Sequence, residues 1–355
     1  MDSTTPQRLA YIDISRAIGM LSVVIGHMNQ FYRDSLRISH PQMLAFIYTF
    51  HMPLFYILTG ILFSEKTYKH TKFTNFLFKK IKTLIIPYLF LDISGGLYYV
   101  LKNGSGIDIK SIYSVCINTI TIHPNVGADW FIPALFIGEI ILFFFLRFYK
   151  PIYRYIVWIP FLMIYLYYPF STHWIYVTVR GIVAFTFMLS GYFLKGYFKS
   201  DINKRWDVII LSFILTYAIS IFNGQIDLWG NRIGNPFLCL AGGLVGSYWI
   251  IGTSKNISSK LLIFIGQNTI TMMGTHMICV TLIWSFLTST LFIILPTWSS
   301  NAYGAITLFF FVIAANLPIL YLYDRYLPFL IGKKKNRTPI LCSFASVISK
   351  THDQR

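Results

Sequence analysis

The sequence predicts an all-α, polytopic membrane protein with about ten transmembrane helices and both termini in the cytoplasm. Its composition is the first reason, since 55% of the 355 residues are hydrophobic and only 12% are charged. The second reason is a series of continuous apolar runs that approach the roughly 20 residues needed for a helix to cross a bilayer. Backbone groups facing lipid must be paired within the protein, and a β-barrel would show alternating segments of about 10 residues instead.

Ten apolar runs are the predicted spans. They cover residues 10–31, 43–63, 82–101, 130–149, 153–169, 174–194, 206–222, 235–253, 261–294 and 302–323. The ninth run exceeds one straight span, so we expect it to break near Gly266 or to extend beyond the bilayer. The segment 110–122 is too short to cross and is expected to lie at the membrane interface.

Basic residues give the predicted orientation. One set of loops and flanks carries 21 Lys and Arg residues, and the opposite set carries 5, namely Arg33, Arg37, Lys102, Lys110 and Arg232. Because loops rich in Lys and Arg stay in the cytoplasm, both termini are expected there. We expect residues 1–332 to form one protein domain embedded in the cell (plasma or inner) membrane, with a retained signal-anchor helix at its start. Residues 333–355 are predicted to be a basic, disordered cytoplasmic tail.

The net charge of +17 would favour nucleic acid as a partner of a soluble protein. Here the basic residues lie in loops between apolar runs, and no nucleic-acid motif accompanies them, so we assign them to orientation and expect the lipid bilayer as partner. The four cysteines are scattered along the chain and contain no C-x-x-C pair. They predict neither a disulfide framework nor a metal site.

The first apolar run contains three ionisable residues, Asp13, Arg16 and His27. Ionisable groups are costly inside a membrane, so they mark a candidate site. At about 100° per residue, the eleven steps from Arg16 to His27 return to the same helix face, about 16 Å further along the axis. Asp13 precedes Arg16 by three residues, which allows the two to pair. The structural alternative is a polar pair that locks helix packing.

Further histidines and charged residues lie in the predicted spans, and each has a structural as well as a functional interpretation. His51 either caps the second helix or contacts substrate. His276 is expected at about the depth of His27, where a functional role is favoured. Arg180 and Glu139 either take part in the site or simply pair with other buried groups.

Two short stretches complete the set of candidates. Asp129 and Trp130 stand at an outer helix start, where a helix cap and an interfacial aromatic are the alternative to a site. Lys79, Lys80 and Lys82 form a basic run that is typical of a cytoplasmic anchor but also suits contact with phosphates.

Five motifs occur in a characteristic order along the chain. They are D-x-x-R-x10-H at Asp13 to His27, F-H-M-P-L-F-x-x-x-T-G at Phe50 to Gly60, K-K-x-K-x-x-x-x-P-Y at Lys79 to Tyr88, D-W-F-I-P-A-L-F at Asp129 to Phe136, and G-Q-N-T-I-x-x-x-x-T-H at Gly266 to His276. With these motifs and ten predicted helices, the chain resembles the acyltransferase-3 family of integral membrane O-acyltransferases, especially its fucose 4-O-acetylase-like branch. Thr59-Gly60 stands where the family usually has Ser-Gly. The resemblance is to the minimal type, without the extracytoplasmic hydrolase-like domain that some members carry.

The resemblance implies transfer of an acyl group, expected to be acetyl, from cytoplasmic acyl-CoA to a hydroxyl of an extracytoplasmic sugar or surface polysaccharide. The acceptor is expected to be a sugar or glycan, free or lipid-linked. Acyl-CoA is a co-substrate, and no resident cofactor is expected. A sugar hydroxyl needs a base as it attacks, and His27 suits either that role or that of acyl carrier. Arg16 suits the donor's phosphates or pantetheine amides.

The other candidates receive weaker roles under this resemblance. The expected substrate-binding residues are Asp13, His51, Asp129, Trp130, Glu139, Arg180 and His276, and the expected donor-phosphate contacts are Lys79, Lys80 and Lys82. An exporter or flippase of a surface polysaccharide is the alternative function. Such a transporter needs a wide polar path, whereas the few membrane charges here are expected to form one compact site. A purely structural membrane partner would leave the buried Arg and His residues unexplained.

Overall fold

The computed structural model describes residues 9–36, 41–104, 106–148, 173–230 and 232–333. These residues are mostly helical, and the β-structure among them is limited to one isolated bridge between Asp227 and Arg232. The helices are α1 Ala10–Leu36, α2 Pro41–Leu62, α3 Glu65–Lys69, α4 Phe73–Lys80, α5 Ile86–Lys102, α6 Ile109–Ile120, α7 Phe131–Phe148, α8 His173–Phe193, α9 Lys195–Lys199, α10 Trp206–Asn223, α11 Pro236–Lys255, α12 Lys260–Gln267, α13 Thr269–Thr288, α14 Leu291–Ile294 and α15 Ala302–Tyr326.

Short tighter or wider turns connect several of these helices. A π-helical turn, Ile81–Ile85, joins α4 to α5 without a break in the helix. 3₁₀ turns cover Gly127–Trp130 before α7, Asp201–Lys204 before α10 and Pro296–Ser300 before α15. π-helical turns are rare and often occur at functional sites, so the residues around the turn between α4 and α5 are candidates for a functional site.

Seven helices within the described residues are long and apolar enough to cross a membrane. They are Pro41–Leu62, Phe73–Lys102, Gly127–Phe148, Trp206–Asn223, Pro236–Lys255, Thr269–Thr288 and Ala302–Tyr326, and each coincides with a predicted span. Helices α1 and α8 occupy the first and sixth predicted spans. The predicted fifth span, 153–169, lies outside the described residues, as does most of the predicted tail. Ten spans and cytoplasmic termini stay predictions.

The expected break in the ninth span agrees with the structure, while the interfacial position of segment 110–122 stays a prediction. The ninth predicted span breaks at Asn268, which separates α12 from α13, two residues beyond Gly266. The predicted interfacial segment is α6, whose Ile109 and Tyr113 are 87% and 67% exposed. Its N-cap is Asp108, and hydrogen bonds from Ser111 lower the pKa of that exposed carboxyl. A short amphipathic helix with exposed apolar side chains is typical of a membrane interface.

Helix α2 lies at the centre of the bundle. In the most apolar 18-residue window of α2, 83% is buried within the protein. The same share is 22% for α10 and for α15, so these two helices lie at the periphery, where lipid is expected. Helix α2 packs against α1, α8 and α11. A Cβ atom on Gly60 would lie 1.8 Å from the carbonyl oxygen of Met188, so α8 approaches α2 to backbone contact. Small residues permit such close packing of membrane helices, and this contact holds the central helix of the site in place.

Candidate active site

Asp13 and Arg16 lie together on the first turns of α1, as their spacing predicts. Arg16 Nη1 is 3.5 Å from Asp13 Oδ1, and the Asp13 side chain is almost fully buried. Gln267 donates a hydrogen bond from Nε2 to Asp13 Oδ2 over 3.3 Å. A Cβ atom on Gly266 would lie 1.8 Å from the Asp13 carbonyl oxygen, so α12 docks directly on the backbone of α1. The break between α12 and α13 is therefore fixed against the charged end of α1.

A cavity of about 260 Å³ lies beside this contact. We call it the proximal cavity, and its charged and polar lining residues include Arg16, Lys80, Thr83, Glu139, Gln267 and Lys333. Lys80 Nζ is 2.5 Å from Glu139 Oε1, and both side chains are largely buried. Glu139 thus pairs with another buried group, while its second oxygen, Oε2, has no hydrogen-bond partner among the described residues.

The basic run at the end of α4 is divided between solvent and the cavity. Lys80 lines the proximal cavity, whereas Lys79 and Lys82 are exposed and line neither cavity of the site. The π turn that follows Lys80 contributes Thr83 and Leu84 to the same wall. Lys80 is therefore the member of the run that the structure brings to the site.

A second cavity, of about 300 Å³, surrounds His27 and His51. We call it the distal cavity, and its other polar or aromatic lining residues are Tyr48, Trp130, Asp227 and Trp229. His51 Nδ1 is 2.8 Å from the carbonyl oxygen of Ile47, one helical turn earlier. Because a carbonyl oxygen only accepts, Nδ1 carries the hydrogen, and Nε2 is the acceptor in the neutral ring.

His276 lies directly beside His27, with ring centroids 5.3 Å apart and ring planes tilted by 44°. Its Nδ1 is 2.9 Å from the carbonyl oxygen of Met272 and 2.8 Å from that of Met273, so this nitrogen also carries the hydrogen. His276 is fully buried, and its Nε2 has no hydrogen-bond partner among the described residues. The structure therefore gathers the three candidate histidines at the distal end of the α1 face that carries Arg16 and His27, with His276 behind the cavity wall.

Met273 on α13 lines both cavities. Its side chain is only 3% exposed, and its carbonyl oxygen is one of the two that accept from His276. Arg16 lines the proximal cavity and His27 the distal one. The two cavities therefore follow the face of α1 that joins these residues, about 16 Å apart, and Met273 stands in the wall between them.

Asp129 and Arg180 lie behind the distal cavity and do not line it. Asp129 is fully buried, and neither carboxylate oxygen has a hydrogen-bond partner among the described residues. Arg180 donates from Nε and Nη2 to the carbonyl oxygen of Trp229, over 3.1 and 2.6 Å, and its guanidinium stacks 3.8 Å from the Trp229 ring centroid. Arg180 thus holds a residue of the cavity wall in place, while Trp130 itself lines the cavity.

A comparison with protein families shows to which family the chain belongs. A family model described as an acyltransferase domain matches residues 9–325, nearly the whole chain. The chain belongs to the acyltransferase-3 family. A search of curated proteins and a search of solved structures found no match. The protein is thus a membrane acyltransferase, and the fucose 4-O-acetylase-like branch stays a prediction.

Several residues that line the two cavities of this candidate site were not among the candidates from sequence. In the distal cavity they are Tyr48, Asp227 and Trp229; in the proximal cavity they are Gln267 and Lys333. Gln267 belongs to the quoted G-Q-N motif, which was the available signal. The loop D-L-W-G-N-R has the Gly and Asn of a turn, but a turn composition does not predict what the loop covers.

Proposed function

We propose that this membrane acyltransferase moves an acyl group, expected to be acetyl, from acyl-CoA in the proximal cavity to a sugar hydroxyl in the distal cavity. The observation that carries the proposal is the pair of cavities that meet at Met273, with Arg16 at one and His27 at the other. The proposed orientation puts the proximal cavity toward the cytoplasmic side of the cell membrane and the distal cavity toward its outer side, in agreement with the distribution of Lys and Arg.

The proximal cavity suits the polar part of the donor. Arg16 offers a planar set of N–H donors that matches phosphates or amides, and Lys80 adds a second cation. The pantetheine arm is long and thin, so it suits the distance of about 16 Å that separates Arg16 from His27 on one helix face. In this arrangement acyl-CoA is a co-substrate, and the reaction needs no resident cofactor.

The distal cavity suits a sugar acceptor. The apolar face of a sugar ring packs well on an indole ring. Trp130 and Trp229 both line this cavity, and their ring centroids are 6.1 Å apart. Asp227 is held by an ion pair with Arg232 and a hydrogen bond from the Gly230 amide, and a carboxylate oxygen has lone pairs to accept further hydrogen bonds from hydroxyl groups. The proposed acceptor is a sugar or glycan hydroxyl, whether or not the glycan is attached to a lipid.

Two routes are compatible with His27 beside the acceptor. In direct transfer, His27 takes the hydroxyl proton while the sugar oxygen bonds to the acyl carbon, and the C–S bond breaks to release the CoA thiolate. In the two-step route, a ring nitrogen of His27 first displaces the thiolate, which takes the ring proton. The sugar oxygen then displaces the ring from the acyl carbon, and the hydroxyl proton ends on the ring.

A polysaccharide exporter or flippase is the alternative function. Cavities of about 260 and 300 Å³ are at the small end of the range for small-molecule sites, which is small for the transport of a polymer. The two cavities also differ in chemistry, which favours two different ligands over one path for a single cargo. The geometry therefore supports acyl transfer better.

The deciding experiment is mass spectrometry of surface glycans from cells with the protein, without it, and with His27→Ala at equal membrane abundance. Acyl groups are expected on the glycan only with the unmodified protein. The proposal fails if the acyl content is the same in all three while the amount of exported glycan falls without the protein, because that result identifies an exporter.

A further inference from the structure

We propose that the segment 327–333 is part of the donor site, and that Lys333 binds a phosphate group of the acyl-CoA donor. This inference rests on the proposed function, because it assigns the phosphorylated end of the donor to the proximal cavity. The segment lies beyond residue 325, where the match to the family ends. Ile331 and Lys333 nevertheless line the proximal cavity.

The segment folds back against the π turn after α15 ends at Tyr326. Hydrogen bonds within it include Leu330 N to Leu327 O at 3.0 Å and Lys333 N to Pro328 O at 2.7 Å. Gly332 has a φ of 70°, and a Cβ atom there would lie 2.6 Å from Thr83 Cα. A side chain at this position is therefore excluded by both conformation and space. The backbone contact holds the segment beside the cavity wall formed by Thr83.

Lys333 is held at the cavity by groups from two helices. Its Nζ donates to Asn268 Oδ1 over 2.6 Å, at the break between α12 and α13, and it forms an ion pair with Asp324 near the end of α15. Its side chain is only 19% exposed. An ammonium group fixed in this way keeps its position at the wall with or without a ligand, which reduces the ordering cost of binding.

The charges that line the proximal cavity favour an anion. Among the described lining residues, Arg16, Lys80 and Lys333 are cations and Glu139 is the anion. Each of these cations has an acidic partner, namely Asp13 for Arg16, Glu139 for Lys80 and Asp324 for Lys333. Asp13 and Asp324 do not line the cavity, so Arg16 and Lys333 present their positive charge to it, and a lysine ammonium is a common point-charge partner of phosphate. Partial burial strengthens this attraction relative to an exposed lysine.

The test compares two donors that carry the same thioester, acetyl-CoA and S-acetyl-pantetheine, which lacks phosphates. The full-length protein, purified in a detergent without phosphate groups, is assayed for acetyl transfer to glycan with each donor. For Lys333→Met we expect the KM for acetyl-CoA to rise about ten- to hundredfold, the range for losing a hydrogen bond to a charged group. The KM for S-acetyl-pantetheine is expected to stay within twofold of the unmodified protein.

Lys199→Met is the matched control, because Lys199 is an exposed lysine of α9 that lines neither cavity. It is expected to leave both KM values unchanged, and Lys333→Arg is expected to retain most of the preference for acetyl-CoA. An equal loss with both donors identifies a structural role for Lys333 and overturns the inference. So does an unchanged KM for acetyl-CoA in Lys333→Met. An unmodified protein that transfers no acetyl group from either donor overturns the proposed function instead.

Discussion

The proximal and distal cavities are similar in volume but differ in the chemistry of their walls. Charged side chains surround the proximal cavity, and they are paired: Lys80 with Glu139 and Lys333 with Asp324. The distal cavity is lined by His27, His51 and aromatic rings, and its charged residue among those described, Asp227, is paired with Arg232. Paired charges hold a ligand without reacting with it, whereas an imidazole can exchange a proton with it. This difference supports the proposed division, with donor binding in the proximal cavity and proton exchange in the distal cavity.

The arrangement of the histidines is compatible with the chemistry proposed for the distal cavity. His51 and His276 both donate from Nδ1 to carbonyl oxygens of the preceding helical turn, so their rings and tautomers are fixed. The two rings come from different helices, α2 and α13, and meet His27 on α1. Two oriented imidazoles beside a third provide a setting in which His27 can be the reacting group while the others position it.

The strongest test of this division is replacement of His27. His27→Ala is expected to lower acyl transfer by about 10²–10⁴-fold, the usual cost of losing a general base, and by more if His27 carries the acyl group. His27→Gln is expected to fail as well, because glutamine holds a hydroxyl but does not accept its proton. The measurement is acetyl transfer to glycan in membranes that contain equal amounts of each variant. Near-normal turnover in His27→Gln would move the base to His51 or His276.

A smaller effect is expected at Arg16. Arg16→Ala is expected to raise the KM for acyl-CoA about ten- to hundredfold with the protein still folded and inserted, because a hydrogen bond to a charged group is lost. Arg16→Lys is expected to restore donor use poorly, since an ammonium does not reproduce the planar pair of donors. Donor titration of both variants measures this. Unchanged donor affinity in Arg16→Ala would leave Arg16 as a packing residue paired with Asp13.

Sequence reasoning identified the candidate residues on α1 but not the contacts that bring residues of other helices to the two cavities. The apolar runs and the spacing of Asp13, Arg16 and His27 depend on local periodicity, which a sequence shows directly. The pairing of Lys80 with Glu139 joins residues 59 positions apart, and that of Arg180 with Trp229 joins residues 49 apart. Periodicity contains no information on which helices become neighbours. The roles predicted for Glu139 and Arg180 therefore stayed open between substrate contact and pairing.

The contacts of Lys333 could not be read from the sequence for a related reason. A run of basic residues after the last span has the composition of a disordered cytoplasmic tail. What distinguishes Lys333 is the turn before it, where Gly332 fits against Thr83, and the amide of Asn268 that receives its ammonium. These contacts exist only once α4, α13 and α15 have assembled, so composition alone assigned this lysine to orientation.

The smallest expected effect concerns the wall between the cavities. Met273 is the described residue that lines both cavities, so under the proposed function an acyl group that moves from the proximal cavity to His27 passes this side chain. Met273→Ala is expected to widen the passage and to raise the rate with butyryl-CoA relative to acetyl-CoA several-fold. We expect no larger change because methionine is flexible and already moves aside more easily than a branched residue. The measurement is the ratio of kcat/KM for the two donors.

Two controls separate a passage from a general loosening of the core. Met277 lies one turn further along α13 and lines the distal cavity alone, so Met277→Ala is expected to leave the donor ratio unchanged. Truncating a buried methionine costs about 2–5 kcal/mol of stability, so the thermal stability of each variant is compared as well. Met273→Leu keeps most of the volume and is expected to keep the acetyl preference. If Met273→Ala and Met277→Ala raise the ratio equally, the limit on chain length lies within the distal cavity, and the two cavities are not separated at Met273.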